Sequence, residues 1–156
     1  MIQIQIPGSH DLTIENVLLD FNGTIATDGH LIAGVKEKIN QHADHLVFHV
    51  ITADTFGTVK KQLENVRCTL HIIPEGNQAS AKLAYIGKLD PQRTIAVGNG
   101  ANDEQILKNA ILGVAVLGQE GLATKTLAAS DLLIHDILDL FAYFEKPNRL
   151  KASLRQ

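Results

Sequence analysis

Short runs of apolar residues alternate with segments of helical periodicity along most of this chain. The first segment is different, because residues 1–6 alternate apolar and polar side chains as a half-exposed strand does. The turn Pro7-Gly8-Ser9 separates it from a second strand predicted over residues 12–20. Two strands joined by a Pro-Gly turn predict an N-terminal β-hairpin.

The rest of the pattern predicts strands and helices in regular alternation. The predicted strands are 46–51, 68–73, 94–97, 112–117 and 131–134, and the predicted helices are 33–44, 56–65, 77–88, 102–110, 122–129 and 136–145, with a last helical turn after Pro147. These strands are continuously apolar, which is typical of strands buried on both faces. The sequence therefore predicts a three-layer, Rossmann-like α/β fold with a central parallel sheet and helices on both faces.

Composition narrows the class of protein. The chain has 156 residues, of which 45% are apolar and 20% charged, so we expect one globular domain over residues 1–156. The net charge is −3 and the basic residues are scattered, which argues against a nucleic-acid partner. The single cysteine, Cys68, cannot form an internal disulfide, and no targeting segment or bilayer-length apolar run is visible. We therefore expect a cytoplasmic protein that binds no membrane.

Polar side chains follow three of the apolar strands directly. Asp20 ends the second strand, Thr52 and Asp54 follow the strand 46–51, and Asn99 follows the strand 94–97. Ligands of open parallel sheets bind outside the carboxyl ends of the strands. We therefore expect the functional site at this edge of the sheet.

These residue types suit phosphoryl transfer. The carboxylate of Asp20 could attack phosphorus and form an aspartyl-phosphate. Because an anionic nucleophile and a phosphate repel each other, such a site needs a hard divalent cation such as Mg²⁺. Asp103 and Asn99 offer further oxygen ligands, while Thr52 and Lys82 offer donors to phosphoryl oxygens.

The order of these residues resembles the haloacid dehalogenase (HAD) superfamily, and within it the phosphorylation domain of P-type ATPases and their small soluble relatives. The P-type pattern D-K-T-G-T corresponds to Asp20-Phe-Asn-Gly-Thr24, T-G-D to Thr52-Ala-Asp54, and G-D-G-x-N-D to Gly98-Asn-Gly-Ala-Asn-Asp103, while the motif lysine falls on Lys82. The likeness covers most of residues 14–135.

The resemblance implies a Mg²⁺-dependent phosphohydrolase that acts on a phosphorylated substrate through an aspartyl-phosphate. It implies the following residues: Asp20, Asn22, Thr52 and Lys82 as catalytic; Gly23, Thr24, Thr52, Ala53 and Lys82 around the phosphate; and Asp20, Asn22, Asn99 and Asp103 around the metal.

Two positions depart from the family pattern. HAD phosphatases carry an acid–base Asp where this chain has Asn22, which cannot donate and take a proton. General acid–base catalysis contributes about 10²–10⁴-fold, so we expect slow turnover. Asn99 replaces a metal-binding Asp, and fewer charged ligands should weaken Mg²⁺ binding. The backbone carbonyl of Asn22 can still ligate the ion.

The chain between Thr24 and Thr52 is expected to hold a single helix and no cap domain. A site without a cap is open and excludes water poorly. It can accept a large substrate, or a neighbouring subunit of a homo-oligomer can cover it.

Other interpretations fit parts of the pattern. A dinucleotide-binding protein would need a third glycine where Asp103 stands, and a receiver-like domain would carry its phospho-acceptor on a later strand than Asp20 does. The asparagines keep open a HAD-like domain that binds phosphate or metal for regulation and has little or no activity.

Single residues also have ordinary structural explanations. Thr52 or Asp54 could cap the helix that follows. His42, His45 and His49 are closely spaced, but a change from helix to strand between them argues against a shared metal ion.

Overall fold

A computed structural model describes residues 1–54 and 57–156 of the chain. The ten strands of these ranges are β1 (Ile2–Ile4), β2 (Leu12–Ile14), β3 (Asn16–Asp20), β4 (Ala26–Thr27), β5 (His30–Leu31), β6 (Val47–Thr52), β7 (Thr69–Ile72), β8 (Thr94–Gly98), β9 (Leu112–Val116) and β10 (Leu132–Ile134). The α-helices are α1 (Val35–His42), α2 (Val59–Gln62), α3 (Gln78–Ile86), α4 (Glu104–Asn109), α5 (Thr124–Ala129), α6 (Leu138–Glu145) and α7 (Pro147–Leu154), and Pro91–Arg93 and Ala101–Asp103 form 3₁₀ turns.

The central sheet has six strands in the order β10-β9-β8-β3-β6-β7. Every pair of neighbours in it is parallel. The predicted three-layer α/β fold with a central parallel sheet is therefore confirmed. β3 lies between β6 and β8, so the strand that carries Asp20 is in the middle of the sheet.

Alternation along β3 divides the core between the two faces of the sheet. Val17 and Leu19 pack with side chains of α1 and α6 on one face, whereas Leu18 packs with side chains of α3 and α4 on the other. All three side chains are fully buried, as a strand covered on both faces requires. The amphipathic helices thus hold the carboxyl edge of the sheet in a fixed position from both sides.

The N-terminal hairpin is confirmed, but its second strand is shorter than predicted. β2 pairs with β1 in antiparallel register, and β3 pairs with the parallel sheet. Glu15 separates the two strands, because its N–H donates to the carbonyl of Arg93 and its own carbonyl accepts from Val47. The predicted strand 12–20 therefore changes partners at Glu15.

The segment between Thr24 and Thr52 was predicted to hold one helix, and this prediction was incomplete. A small antiparallel hairpin of β4 and β5 precedes α1. Gln62 of α2 accepts from the N–H of Leu31, and Glu120 accepts from the N–H of Asp28. The hairpin is thus anchored on both sides next to the end of β3, and the described residues of this segment hold no inserted domain.

Two helices differ in extent from the prediction. The helix predicted at 56–65 is represented by α2, and its first predicted residue lies outside the described ranges. α7 is a helix of eight residues instead of a single turn. Leu150 of α7 is fully buried against the core, which stabilises a helix that its own short length would not. No helix in the described parts of the chain has the length and apolarity needed to cross a bilayer.

A buried histidine lies in the middle strand pair, away from the carboxyl edge. Asn16 donates its Nδ2 to the carbonyl of Leu89, so its Oδ1 faces Nε2 of His49 at 3.3 Å. Nε2 must therefore carry the proton, and Nδ1 accepts from the hydroxyl of Tyr85 at 3.0 Å. Burial lowers the pKa of His49, since the charged ring is poorly solvated there. His71 stacks on the other side of Tyr85 and shares this polar cluster.

Protonation of His49 should make the protein less stable in acid. Its pKa is lower in the folded than in the unfolded chain, where it is about 6.5, so the unfolded state takes up the proton first. The contribution of neutral His49 to the free energy of unfolding is complete above about pH 6.5 and is lost as the pH falls toward the folded-state pKa. We expect the urea midpoint to fall between about pH 7.5 and about pH 5.5, and to fall less in His49→Gln.

The exposed His10 provides the control. A His10→Gln variant should show the same pH dependence of the urea midpoint as the unchanged protein. If His49→Gln also shows it, His49 does not contribute to acid destabilisation.

Candidate active site

The carboxyl ends of three neighbouring strands bring the predicted residues together. Asp20 ends β3, Thr52 ends β6, and Asn99 follows β8 directly. Lys82 reaches the same point from the second turn of α3. An open pocket of about 230 Å³ lies there, lined by Asp20, Asn22, Thr52, Ala53, Gln78, Lys82, Asn99, Gly100 and Asn102. Eight of these nine residues lie within the matched motifs, the exception being Gln78. Gln78, Gly100 and Asn102 were not among the predicted site residues.

Lys82 is the central charge of the site. Its ammonium donates to Oδ1 of Asp20 at 2.6 Å and to Oδ1 of Asp103 at 2.6 Å. The side chain is 1% exposed, so the positive charge is almost fully removed from water. Burial alone would lower the pKa of Lys82, but the two carboxylates outweigh it and raise the pKa. Lys82 is therefore charged at neutral pH.

Asp103 lies behind Lys82 and away from the surface of the pocket. Its Oδ2 accepts from the backbone N–H groups of Asn99 and Gly100, and its side chain is fully buried. Burial, reinforced by the negative charge of Asp20, raises the pKa of Asp103 to about 6 although Lys82 opposes the shift. In this structure Asp103 is thus the partner of Lys82 and the anchor of the loop after β8. Its predicted role as a metal ligand stays a prediction.

Asp20 keeps its carboxylate at the floor of the pocket. Its Oδ1 accepts from Lys82, and its Oδ2 accepts from the hydroxyl of Thr24 at 3.1 Å. The residue is 7% exposed, so the carboxylate is held firmly and still borders the pocket. A fixed carboxylate at the end of a central strand is placed as a nucleophile for a group bound above it.

The loop after β3 is shaped by Gly23. The residue has φ +79, a conformation that favours glycine, and a Cβ there would collide with the side chain of Asn99. Its N–H donates to the carbonyl of Ala26 at 2.8 Å, which closes the turn. Because Gly23 has no side chain, Asn99 packs directly against the loop.

Three oxygen atoms converge on the pocket side of this loop. The Thr24 hydroxyl lies 3.1 Å from Asp20 Oδ2 and 3.2 Å from Oδ1 of Asn99. Asn99 donates its Nδ2 to the carbonyl of Gly121, so its oxygen is the atom that faces the Thr24 hydroxyl. The buried Oδ1 of Asn22 has no hydrogen-bond partner among the described residues.

These oxygen atoms fit a hard divalent cation, although only one of the groups that supply them is charged. Oxygen ligands from carboxylate and amide groups are those that Mg²⁺ accepts. Asp20 is the only carboxylate among the residues that line this pocket, and no group of three or more His, Cys, Asp or Glu side chains placed to hold a metal occurs in the described residues. Of the four predicted metal ligands, Asp20, Asn22 and Asn99 line this pocket and could hold the ion, and Asp103 lies behind Lys82.

Thr52 and Ala53 line the pocket at the end of β6, and Asp54 follows them. The Thr52 hydroxyl oxygen accepts from the N–H of Asp54 at 3.2 Å, so its own proton can be donated elsewhere. Asp54 Oδ1 accepts from the N–H of Val59 at the start of α2, which is the capping role considered from the sequence. Thr52 and Ala53 face the pocket, as predicted for the phosphate-binding residues.

The three closely spaced histidines do not meet at this site. His42 packs against the rings of Phe141 and Phe144, and His49 belongs to the cluster with Tyr85. Among the pocket residues that sequence reasoning missed is Gln78, whose Oε1 accepts from Nδ2 of Asn102 at 2.6 Å. Gln78 precedes Lys82 by four residues on the predicted helix, so the two side chains share one helix face. That spacing was the sequence signal that could have identified Gln78.

The chain has a relative of known sequence but unknown activity. It is 43% identical over 84 residues to the uncharacterized protein MJ0073 of Methanocaldococcus jannaschii, which covers 51% of this chain and 90% of that protein. A second uncharacterized protein of that organism, MJ0072, is 46% identical over 39 residues, or 25% of this chain and 89% of its own length. No family model matches the chain.

Solved structures with a similar fold include phosphatases. The 3-deoxy-D-manno-octulosonate 8-phosphate phosphatase of Moraxella catarrhalis, in complex with magnesium, phosphate and KDO, has a TM-score of 0.65 at 19% identity, over 89% of this chain and 90% of that one. The cobalt-bound deoxy-D-mannose-octulosonate 8-phosphate phosphatase of Haemophilus influenzae has a TM-score of 0.71 at 11% identity, over 92% and 94%. A phospho-aspartyl intermediate analogue of phosphoserine phosphatase has a TM-score of 0.59 at 17% identity, over 84% and 99%.

At 11–19% identity, the likeness to the solved structures establishes the fold alone. The 43% identity to MJ0073 over 90% of its length establishes a family relationship. The chain belongs to the family of the M. jannaschii protein MJ0073, and its fold is that of the haloacid dehalogenase superfamily.

Proposed function

We propose that this protein is a Mg²⁺-dependent phosphohydrolase that forms an aspartyl-phosphate on Asp20. The observation that carries the proposal is the position of the Asp20 carboxylate. It lies at the floor of an open pocket, with one oxygen bound by Lys82 and the other by Thr24. This arrangement fixes the direction of the carboxylate, as a nucleophile requires.

The structural neighbours support the same chemistry. Three of them are phosphatases, of which one holds magnesium and phosphate and another represents a phospho-aspartyl intermediate. The motif order of this chain resembles that of the haloacid dehalogenase superfamily, and most of these motif residues line one pocket. The proposed substrate is a phosphoric ester, and the open pocket sets no narrow limit on the group that leaves.

The reaction would proceed in two displacements. An oxygen of Asp20 forms a bond to phosphorus while the bond from phosphorus to the ester oxygen breaks, and the leaving alcohol takes a proton. Water then attacks phosphorus, the bond to Asp20 breaks, and phosphate is released. A divalent cation bound by Asp20, Asn22 and Asn99 would supply charge neutralisation between the carboxylate and the phosphoryl group.

The asparagine at position 22 determines the rate in this scheme. An amide can neither protonate the leaving alcohol nor take a proton from water, so both proton transfers fall to solvent. The pocket is open, which gives water access but provides no positioned acid or base. The expected enzyme is therefore slow, and its aspartyl-phosphate should persist long enough to be trapped.

A second candidate is a regulatory domain that binds phosphate or metal without turnover. The specific observation in its favour is the composition of the pocket lining, where amides stand at both Asn22 and Asn99 and Asp20 is the single carboxylate. The two candidates share the binding site and differ only in whether Asp20 becomes phosphorylated.

Substitution of the nucleophile should separate the two candidates. With Mg²⁺ and an aryl phosphate, the unchanged protein should release phosphate and Asp20→Asn should release none, because an amide cannot act as the nucleophile. Beryllium fluoride, which mimics a phosphoryl group on a carboxylate, should bind the unchanged protein and not the variant. Release is measured by absorbance and binding by ¹⁹F NMR.

The matched control is Asp44→Asn, since the Asp44 carboxylate is exposed and pairs with Arg67 far from the pocket. It should hydrolyse the aryl phosphate at the unchanged rate. Equal hydrolysis and equal fluoride binding by the unchanged protein and Asp20→Asn would reject the catalytic proposal.

Restoring the missing acid should accelerate the enzyme. Asn22→Asp should raise kcat by up to about 10²-fold, because a carboxyl group there can donate and take the proton. Asn99→Asp should lower the Mg²⁺ concentration needed for half-maximal activity, because it adds a charged oxygen ligand. Both are measured with the aryl phosphate over a range of Mg²⁺ concentrations.

Asn109→Asp serves as the control, because Asn109 is at the end of α4 and outside the pocket. It should leave kcat and the Mg²⁺ dependence unchanged. If Asn22→Asp has the same kcat as Asn109→Asp, proton transfer does not limit this enzyme.

A further inference from the structure

All three protons of the Lys82 ammonium are used within the protein. Two are donated to Asp20 and Asp103, and the third goes to Oδ1 of Asn102 at 3.2 Å. An ammonium group has three donors and no acceptor. All three donors of Lys82 thus have partners in this structure, so a donor without a partner must come from another residue of the pocket.

The direction of the Asn102 amide follows from Lys82. Because an ammonium can only donate, the atom of Asn102 that faces it must be the oxygen. The amide nitrogen of Asn102 then points away from Lys82 and donates to Gln78. This order of donors and acceptors is fixed by the chemistry of the three groups, since reversing either amide would oppose two donors or two acceptors.

The same argument fixes the orientation of the Gln78 side-chain amide. Its Oε1 accepts from Asn102, so its Nε2 is on the other side of the amide. Gln78 is partly buried and borders the pocket together with Asp20 and Thr52. Within residues 1–54 and 57–156, no hydrogen bond engages this Nε2. The side chain thus offers an uncharged N–H donor at the border of the pocket that contains the Asp20 carboxylate.

We infer that Gln78 is a substrate-contacting residue, whose Nε2 donates to a non-bridging phosphoryl oxygen of the group bound over Asp20. The inference rests on the proposed function and deepens it. Thr52 supplies the second donor, because its oxygen accepts from Asp54 and its proton is available. Gln78 and Thr52 thus add two neutral donors for a phosphoryl group, while Lys82 sets the position of the nucleophile.

The test measures the binding of inorganic phosphate, which has no leaving group and so reports on the phosphoryl contact alone. Phosphate is titrated calorimetrically into the protein in the presence of Mg²⁺. Gln78→Met, which removes the donor and keeps the side-chain length, should weaken binding about tenfold, as expected for a hydrogen bond to a charged group. Gln92→Met makes the same change at an exposed glutamine and should leave binding unchanged.

A double-mutant cycle separates direct contact from positioning through Asn102. Direct contact predicts that Gln78→Met weakens phosphate binding by a similar factor in the unchanged protein and in an Asn102→Ala background. If the effect vanishes in that background, Gln78 acts only through Asn102 and the inference is wrong. It is also wrong if Gln78→Met binds phosphate as the unchanged protein does.

The Gln78→Glu variant tests whether a loss of phosphate binding comes only from misfolding. It keeps an oxygen to accept from Asn102, so the local structure is retained, but it replaces the donor by a negative charge. It should bind phosphate more weakly than Gln78→Met while melting at a similar temperature, and unchanged binding would contradict the inference.

The two proposals fail in different measurements. If the unchanged protein binds no phosphate, the inference is wrong whatever the turnover. If Asp20→Asn hydrolyses the aryl phosphate as fast as the unchanged protein, the proposed function is wrong whatever Gln78→Met does to phosphate binding.

Discussion

The buried charge of Lys82 is the constraint on which the rest of the site depends. An ammonium removed from water costs several kcal/mol unless hydrogen bonds and opposite charges replace the solvent. Asp20, Asp103 and Asn102 together supply that replacement. These partners come from the end of β3 and from the turn after β8, so one cation joins two neighbouring strands and α3 at the carboxyl edge of the sheet.

The same constraint divides the carboxylates by role. Asp103 is fully buried. Its Oδ1 accepts from Lys82 and its Oδ2 accepts from two backbone N–H groups, so it anchors the loop after β8. Asp20 has the same cation on one oxygen but still borders the pocket. Two acids of the same type thus become an anchor and a candidate nucleophile because one faces the protein and the other faces the pocket.

The sequence predicted the sheet and the convergence of the motifs well, since apolar runs and strand-end polar residues are local signals. It did not predict β4 and β5, because two-residue strands leave no periodicity to detect. The partner change at Glu15 depends on bonds to Arg93 and Val47, which are distant in the chain. The role of Gln78 was missed for a similar reason, since its contact with Asn102 joins two elements that only the folded sheet brings together.

Both substituted asparagines precede a glycine, and the hydrogen bonding of those glycines bears on how the protein ages. Spontaneous conversion of Asn-Gly to an acid requires the glycine nitrogen to attack the neighbouring side chain. The N–H of Gly23 is bound to the carbonyl of Ala26, and the N–H of Gly100 to the carboxylate of Asp103. Attack would break these bonds, so the fold protects both amides, and the acid content of the pocket is set by the gene rather than by the age of the molecule.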